Sequence, residues 1–246
     1  MSESGYLMKK TENHWTLITW QNLSIVGLLA VMLLVATYSW GEGFVIVPAP
    51  AVDNARAPGA PQVAVLAGGC FWGIQGVYEH VRGVRRAVSG YAGGDKASAA
   101  YEIVSTGTTG HAETVQITFN PAEISYGQIL QIYFSVAHDP TQLNRQGNDQ
   151  GKQYRSNIFY VDASQKRIAE AYIAQLNKAK TFASPIVTRV DPFKDFFVAE
   201  TEHQDFLIHN PSNPYIRNVD LPKIANLHKV FSAMYREDPV TVNSVR

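Results

Sequence analysis

The sequence has only one cysteine, Cys70, among 246 residues. A single cysteine excludes an internal disulfide and any zinc or iron–sulfur site built from several thiolates. Because free cysteine is one of the most often buried residue types, a lone cysteine is by itself more typical of a small core residue than of a nucleophile. Its neighbours in the sequence must distinguish these two interpretations.

Charge is scarce and balanced. Lysine and arginine total 21, aspartate and glutamate also total 21, and charged residues make up 17% of the chain. A net charge of zero without a dense basic run gives no support for a nucleic-acid partner. The 46% of hydrophobic residues is enough for a sizeable core, which argues against disorder along the whole length.

No charged residue occurs between Asn13 and Gly41, and residues 23–40 are almost continuously apolar. At about 1.5 Å per residue this run can just cross a bilayer core. The sequence therefore predicts a cytoplasmic segment at 1–22 and a transmembrane anchor at 23–40, with the remainder outside the cytoplasm (the periplasm in a bacterium). A cleaved secretory signal is the alternative.

Prolines and small residues dominate residues 41–61, which predicts an extended tether. Beyond it, hydrophobic periodicity predicts an α+β domain with an antiparallel or mixed sheet. The predicted strands are Gln62–Leu66, Val115–Phe119, Arg155–Val161, Pro185–Val190 and Phe196–Val198. Helices are predicted from Cys70 to about Val81, from Ser125, over Ala163–Lys178 and from Asp220.

The hexapeptide GGCFWG at 68–73 is the most informative in the chain. Its glycines allow a sharp turn and a close approach of a ligand. If Cys70 begins a helix, the free N–H groups and the helix dipole should lower its thiol pKa from about 8.5. Because Phe71 and Trp72 cannot both face the core in a tight turn, at least one should line a pocket. This arrangement favours a nucleophile over a buried core cysteine.

Four more motifs follow in order: GYAGG at 90–94, GHAE at 110–113, RQGNDQG at 145–151 and QYRS at 153–156. With GGCFWG they closely resemble the peptide methionine sulfoxide reductase A family over residues 62–211. The resemblance implies a two-layer, ferredoxin-like sandwich with a mixed sheet, here preceded by the transmembrane helix. Residues 62–211 would be the catalytic domain and 212–246 a C-terminal extension with a helix.

The resemblance implies reduction of the S epimer of methionine sulfoxide, in proteins or free, to methionine. The Cys70 thiolate would attack the sulfoxide sulfur and become a sulfenic acid. Glu113 matches the family's acid; beside an apolar pocket its carboxyl can stay protonated, because desolvation disfavours the charged form. Without the motif, Glu113 would be expected only to form a surface ion pair.

The resemblance also assigns the other site residues. Tyr101 and Tyr154 align with the tyrosines that hold the sulfoxide oxygen, and Asp149 with an aspartate that works through water and in regeneration. Phe71 and Trp72 align with the walls that bind the methyl group. The simpler interpretations are partly buried aromatic residues and, for Asp149, a turn-forming residue.

Three histidines, His111, His138 and His203, belong to the same family pattern without a metal. A metal site would need several converging ligands, which these spacings do not provide. We therefore expect structural histidines, no metal and no cofactor.

Two features depart from the family. Gln75 stands where a glutamate is common, and no resolving cysteine follows Pro211. The Cys70 sulfenic acid must then be reduced by an external thiol, either a thioredoxin-like protein or a small thiol. Two other functions stay open from the sequence: a cysteine-dependent hydrolase or acyltransferase that uses His111 or His138, and an inactive, anchored peptide-binding module.

Overall fold

The strand that leads into the cysteine is β1 (Gln62–Ala67), and its last four residues are buried. The computed structural model describes residues 44–243. In it, β1 pairs antiparallel with β3 (Ala112–Phe119) on one side and with β6 (Asn157–Tyr160) on the other. A strand that is paired on both edges and covered on both faces needs apolar residues almost throughout, which explains the sequence QVAVLA.

The remaining strands are β2 (Val84–Ala92), β4 (Arg145–Gln146), β5 (Asp149–Gln150), β7 (Arg189–Pro192) and β8 (Phe196–Val198). The main sheet has the order β7-β6-β1-β3-β2-β8, and β4 and β5 form a separate hairpin. In the main sheet only β6 and β7 are parallel, and the other pairs are antiparallel. The sheet is therefore mixed.

The helices are α1 (Phe71–Glu79), α2 (Tyr101–Val104), α3 (Tyr126–Ile132), α4 (Ala163–Lys178), α5 (Phe206–His209) and α6 (Leu221–Val230). Side chains of Ser125 and Gln128 form a reciprocal capping box at the start of α3. The Asp162 side chain accepts a hydrogen bond from the backbone N–H of Gln165 and caps α4 at 2.8 Å.

The two faces of the sheet are covered differently. Because side chains alternate along a strand, Leu66 faces the large core that the helices cover, and Val65 faces a smaller cluster. That smaller cluster includes Ala112 and Phe159. The short path from β1 into α1 places Cys70 at the edge of the large core.

The predicted fold class requires one correction, which concerns its transmembrane helix. Over residues 44–243 no helix is long and apolar enough to cross a membrane. The segments predicted at 1–22 and 23–40 lie outside the described residues. The fold class of the described residues is therefore a mixed sheet with helices, and the predicted membrane span is not among those helices. The location outside the cytoplasm stays a prediction from the sequence.

Residues 44–61 have no helix or strand, but they do not form a free tether. The Tyr172 hydroxyl donates to the Pro48 carbonyl at 2.6 Å, and the Gly127 N–H donates to the Asp53 carboxylate at 2.8 Å. This segment therefore packs along α3 and α4, because the Pro48 carbonyl and the Asp53 carboxylate accept hydrogen bonds there.

The C-terminal extension also packs against the domain. The backbone N–H of Arg82 donates to Met234 at 2.7 Å, and that of Val240 donates to Glu79 at 3.0 Å. Leu227 of α6 is fully buried. The extension thus returns to α1, the helix that begins at the cysteine.

Candidate active site

Cys70 occupies the N-cap position of α1, and it is 8% exposed. The two residues before it are glycines for steric reasons. Gly69 has a φ of +95°, and a Cβ there would lie 2.6 Å from the Cβ of Gln146. A Cβ on Gly68 would lie 3.0 Å from the His138 ring. The glycine pair therefore lets the chain turn tightly from strand to helix beneath Cys70.

Glu113 lies on β3, next to the start of α1. Its side chain is buried, and Oε2 accepts a hydrogen bond from the backbone N–H of Phe71 at 3.0 Å. Burial raises the Glu113 pKa to about 8, although the Phe71 N–H and the Cys70 thiol both act in the opposite direction. The carboxyl is therefore mostly protonated at neutral pH, and it lies close enough to Cys70 for each group to affect the pKa of the other.

The expectation that the helix start lowers the thiol pKa of Cys70 is wrong in its net direction. Burial raises the pKa well above the usual value, and the negative charges of Glu113, Asp220 and Asp149 add to this effect. A hydrogen bond from the Trp72 backbone lowers the pKa, but by less. Desolvation outweighs the helix terminus because almost no water reaches the sulfur. The resting thiol is therefore protonated.

The two predicted tyrosines are both close enough to Cys70 and Glu113 for their charges to interact. Burial raises the pKa of Tyr101 and of Tyr154, and the charges of Glu113 and Cys70 raise both further. Tyr101 is the first residue of α2, and its N–H donates to Glu200 at 2.9 Å. Both phenols therefore stay protonated and can donate hydrogen bonds.

Asp149 on β5 is the last of the predicted polar site residues. It has a hydrogen-bond partner, Tyr215, that the sequence motifs did not indicate. The Tyr215 hydroxyl donates a hydrogen bond to Asp149 Oδ2. The Tyr215 ring also lies edge-on to Trp72, with 5.9 Å between the ring centroids. Tyr215 lies after Pro211, where the predicted resemblance ends, so only its sequence neighbours in the NPYI segment could have drawn attention to it.

The two aromatic residues after Cys70 have different environments. Phe71 is fully buried and packs against His203 with ring centroids 5.3 Å apart. Trp72 is partly exposed and stacks on Phe206, with the centroids 3.8 Å apart and the planes at 10°. Trp72, Phe206 and Tyr215 therefore form an aromatic wall beside the cysteine.

Gln75 is not at the mouth of the site. Its side-chain amide donates to Ala87 at 3.1 Å, and its side-chain oxygen accepts from Ser89 and from the Asp205 backbone. This buried network holds the turn that leads to Phe206. Gln75 therefore contacts the aromatic wall only indirectly, through its hydrogen bond to the backbone of Asp205, the residue before Phe206.

The histidines make hydrogen bonds that are typical of structural residues. His111 Nε2 lies 3.0 Å from the Asp95 carbonyl, and His138 Nδ1 lies 3.1 Å from the Tyr133 carbonyl. His203 Nδ1 accepts from the Trp72 indole at 3.3 Å. Burial lowers the His138 pKa to about 3, so its imidazole is a very weak base. Among residues 44–243 no group of three potential ligands could hold a metal ion.

The chain is similar to known proteins over most of its length. The family model for peptide methionine sulfoxide reductase matches residues 62–235, a range that includes Tyr215. A relative from Mesorhizobium japonicum, peptide methionine sulfoxide reductase MsrA 2, is 58% identical over 193 residues, or 78% of this chain and 98% of the relative. A protein of the same name from Synechocystis is 48% identical over 191 residues, or 76% and 89%.

Two solved structures have a similar fold. Reduced Mxr1 from Saccharomyces cerevisiae is 30% identical with a TM-score of 0.56, and the match covers 66% of this chain and 92% of that one. Methionine sulfoxide reductase A of Corynebacterium diphtheriae is 31% identical with a TM-score of 0.55, over 70% and 87%. The chain thus matches nearly the full length of these relatives.

Proposed function

Since this chain belongs to the peptide methionine sulfoxide reductase family, we propose that Cys70 is its nucleophile and Glu113 its acid. The enzyme is a peptide-methionine (S)-S-oxide reductase that returns methionine sulfoxide to methionine. The observation that carries the assignment is the buried Glu113 carboxyl at the start of α1, which accepts the Phe71 N–H at 3.0 Å and whose pKa burial raises to about 8.

The chemistry begins with two protonated groups. Glu113 gives its proton to the sulfoxide oxygen, which makes the sulfur more electrophilic. The carboxylate that remains accepts the thiol proton of Cys70, and the thiolate attacks the sulfoxide sulfur. The hydroxyl then passes to the Cys70 sulfur as the bond between the two sulfurs breaks. The net change is one oxygen atom moved from the substrate to Cys70, which leaves methionine and a sulfenic acid.

The neighbouring side chains fit the substrate's two ends. The protonated phenols of Tyr101 and Tyr154 can donate hydrogen bonds to the sulfoxide oxygen and hold it beside Glu113. The aromatic wall of Trp72, Phe206 and Tyr215 offers apolar surface for the methyl group. We propose that Asp149, held by Tyr215, orients a water molecule near the sulfur. Phe71, which the sequence predicts as the second wall of the methyl site, is only 1% exposed, and we propose that it supports Trp72 from the core.

Regeneration needs a partner because Cys70 is the only cysteine. One external thiol condenses with the sulfenic acid to form a mixed disulfide and water, and a second thiol releases Cys70 as the thiol. We propose a thioredoxin-like protein or a small thiol as the donor. A thioredoxin that lacks its second cysteine should be trapped on Cys70; turnover at an undiminished rate without added thiol would contradict this cycle.

The proposal is tested with the full chain, a peptide that contains methionine sulfoxide, and dithiothreitol, with the epimers separated by chromatography. We expect the S epimer alone to be consumed, and Cys70→Ser to have no activity. A matched control is Glu123→Gln, which alters a carboxylate exposed at the surface and should keep full activity. Loss of the R epimer instead, or activity in Cys70→Ser, would contradict the proposal.

The same protein preparation can distinguish the reductase from the rival function, a thiol hydrolase. A thiol hydrolase needs a base to activate Cys70, and the low pKa of His138 makes that imidazole a poor candidate. We expect no acyl-enzyme on Cys70 after incubation with an activated ester at a concentration that saturates related thiol hydrolases.

A further inference from the structure

The helix that carries Tyr101 is short and has little packing of its own. α2 spans only Tyr101–Val104, and Val104 is its one buried residue. Ala100 stands at the N-cap position and offers no side-chain hydrogen bond to the N–H groups of the first turn. A helix of four residues is not stable by itself. Another contact must therefore hold Tyr101 in place.

The carboxylate of Glu200 makes that contact. Its Oε1 accepts the backbone N–H of Tyr101 at 2.9 Å, and its Oε2 accepts the Tyr91 hydroxyl at 2.7 Å. Because Tyr101 is the first residue of α2, its N–H cannot form a hydrogen bond within the helix. The side chain of Glu200 therefore supplies the acceptor that Ala100 lacks.

The second partner of Glu200 is anchored in the main sheet. Tyr91 on β2 is fully buried, and it lies directly opposite Glu113 on β3 in the strand register. Because opposed residues of antiparallel strands point to the same face of the sheet, the Tyr91 side chain has a defined position relative to that of Glu113. The hydrogen bonds from Tyr91 through Glu200 to Tyr101 thus tie α2 to the strand pair that carries the acid.

Glu200 also connects Tyr101 to His203. The His203 N–H donates to the Glu200 carbonyl at 3.0 Å, and the centroids of the His203 and Tyr101 rings are 4.4 Å apart. Burial raises the pKa of Glu200, but the hydrogen bonds from the Tyr101 N–H and the Tyr91 hydroxyl lower it by more, so the net pKa is below the usual value. Both hydrogen bonds are therefore charge-assisted, a class about twice as strong as neutral ones.

We propose that Glu200 is a positioning residue that holds the Tyr101 hydroxyl where it can bind the sulfoxide oxygen. The inference rests on the proposed function, in which Tyr101 donates a hydrogen bond to that oxygen. Glu200 acts only through α2, so its contribution to catalysis should depend on the presence of the Tyr101 hydroxyl. A residue that only stabilised the fold would not show this dependence.

The test is a double-mutant cycle in the full chain, with kcat/KM measured on a methionine sulfoxide peptide with dithiothreitol. We expect Glu200→Ala to lower kcat/KM about tenfold, because Tyr101 loses a charge-assisted hydrogen bond. In a Tyr101→Phe background the same change should lower kcat/KM by less than about twofold, since the hydroxyl that Glu200 positions is gone. Glu202→Ala removes an exposed carboxylate from the same turn and should leave kcat/KM unchanged in both backgrounds.

A second variant, Glu200→Gln, keeps an oxygen that can accept the Tyr101 N–H but loses the charge. We expect a smaller loss than in Glu200→Ala, about threefold, and this loss should also disappear in the Tyr101→Phe background. The glutamine variant carries the test if Glu200→Ala does not unfold cooperatively in a thermal scan. A loss of the same size in both backgrounds, or no loss in the wild-type background, would overturn the proposal.

Failure of this inference is distinct from failure of the proposed function. If the wild type reduces the S epimer and Tyr101→Phe is slower, an additive Glu200 variant contradicts only the positioning role. A Tyr101→Phe variant as fast as the wild type would also overturn that role, but would leave the roles of Cys70 and Glu113 standing. Absence of sulfoxide reduction by the wild type would contradict the proposed function itself, and the role of Glu200 with it.

Discussion

At the scale of single residues, burial determines the protonation of both reacting groups. Glu113 has a pKa of about 8 because its charged form is poorly solvated, and the Cys70 pKa is raised for the same reason. The site therefore holds two protons at neutral pH, one for the sulfoxide oxygen and one that the thiol must give up. A carboxyl exposed at the surface, with a pKa of about 4.3, would have lost its proton at neutral pH.

The first prediction concerns the acid. Because Glu113 is protonated below a pH of about 8, we expect kcat/KM of the wild type to fall as pH rises through that value. Glu113→Gln can still donate a hydrogen bond but cannot give up a proton, so kcat should fall by about 10²–10⁴. The pH profile of the Glu113→Gln variant should not show this fall of kcat/KM at high pH. Steady-state rates across the pH range test both points, and an unchanged rate would remove the acid role.

The second prediction concerns Tyr215. Tyr215→Phe keeps the ring against Trp72 but removes the hydrogen bond to Asp149. A hydrogen bond to a charged group contributes about 1.5–3 kcal/mol, so we expect kcat/KM to fall about tenfold or more. Tyr235→Phe is the control, because Tyr235 stacks on His80 away from the cysteine. Equal activity of the two variants would show that the Tyr215 hydroxyl has no role.

At the scale of elements, the turn from β1 to α1 is the feature on which the site depends most. Gly69 has a positive φ, and a Cβ would meet Gln146 at 2.6 Å. We expect Gly69→Ala to lower the free energy of unfolding by about 1–3 kcal/mol, measured by urea denaturation. Gly59→Ala adds a Cβ whose nearest neighbour is 3.8 Å away and should change stability little. A stable Gly69→Ala variant would contradict this explanation of the turn.

This turn is also where the sequence was most informative. The pattern QVAVL followed by GGCFWG predicted strand, turn and helix, and the observed elements are Gln62–Ala67 and Phe71–Glu79. The strand Val84–Ala92 was not predicted, because its last six residues are all buried and show no alternation. The strand predicted at Pro185–Val190 instead spans Arg189–Pro192, where β6 offers a partner.

The residues of the site could be predicted in part, because motifs show which residues come together but not how tertiary packing changes their properties. The motifs contain the residues that surround the sulfur, but the direction of the Cys70 pKa depends on desolvation, which only tertiary packing determines. Tyr215 lies beyond the predicted resemblance and reaches the site because the chain folds back over α1. Short sequence motifs do not predict that a distant segment of the chain folds back onto α1.

At the scale of the whole molecule, the C-terminal extension is part of the catalytic structure. It supplies Tyr215, and α6 packs into the main core through Leu227. We expect Leu227→Ala to lower the free energy of unfolding by about 2–5 kcal/mol and to lose activity at lower urea concentrations than the wild type. Lys229→Ala, on the exposed side of α6, should stay close to the wild type; equal stability of the two variants would argue against this packing role.

The central claim is that one oxygen atom moves from the substrate to Cys70. The most direct measurement is a single turnover of the full chain with a methionine sulfoxide peptide and no reducing thiol, with the products analysed by mass spectrometry. We expect one methionine per protein molecule and one added oxygen on Cys70, which a sulfenic-acid reagent traps. Methionine formed without any modification of Cys70, or an oxidised Cys70 without methionine, would contradict the claim.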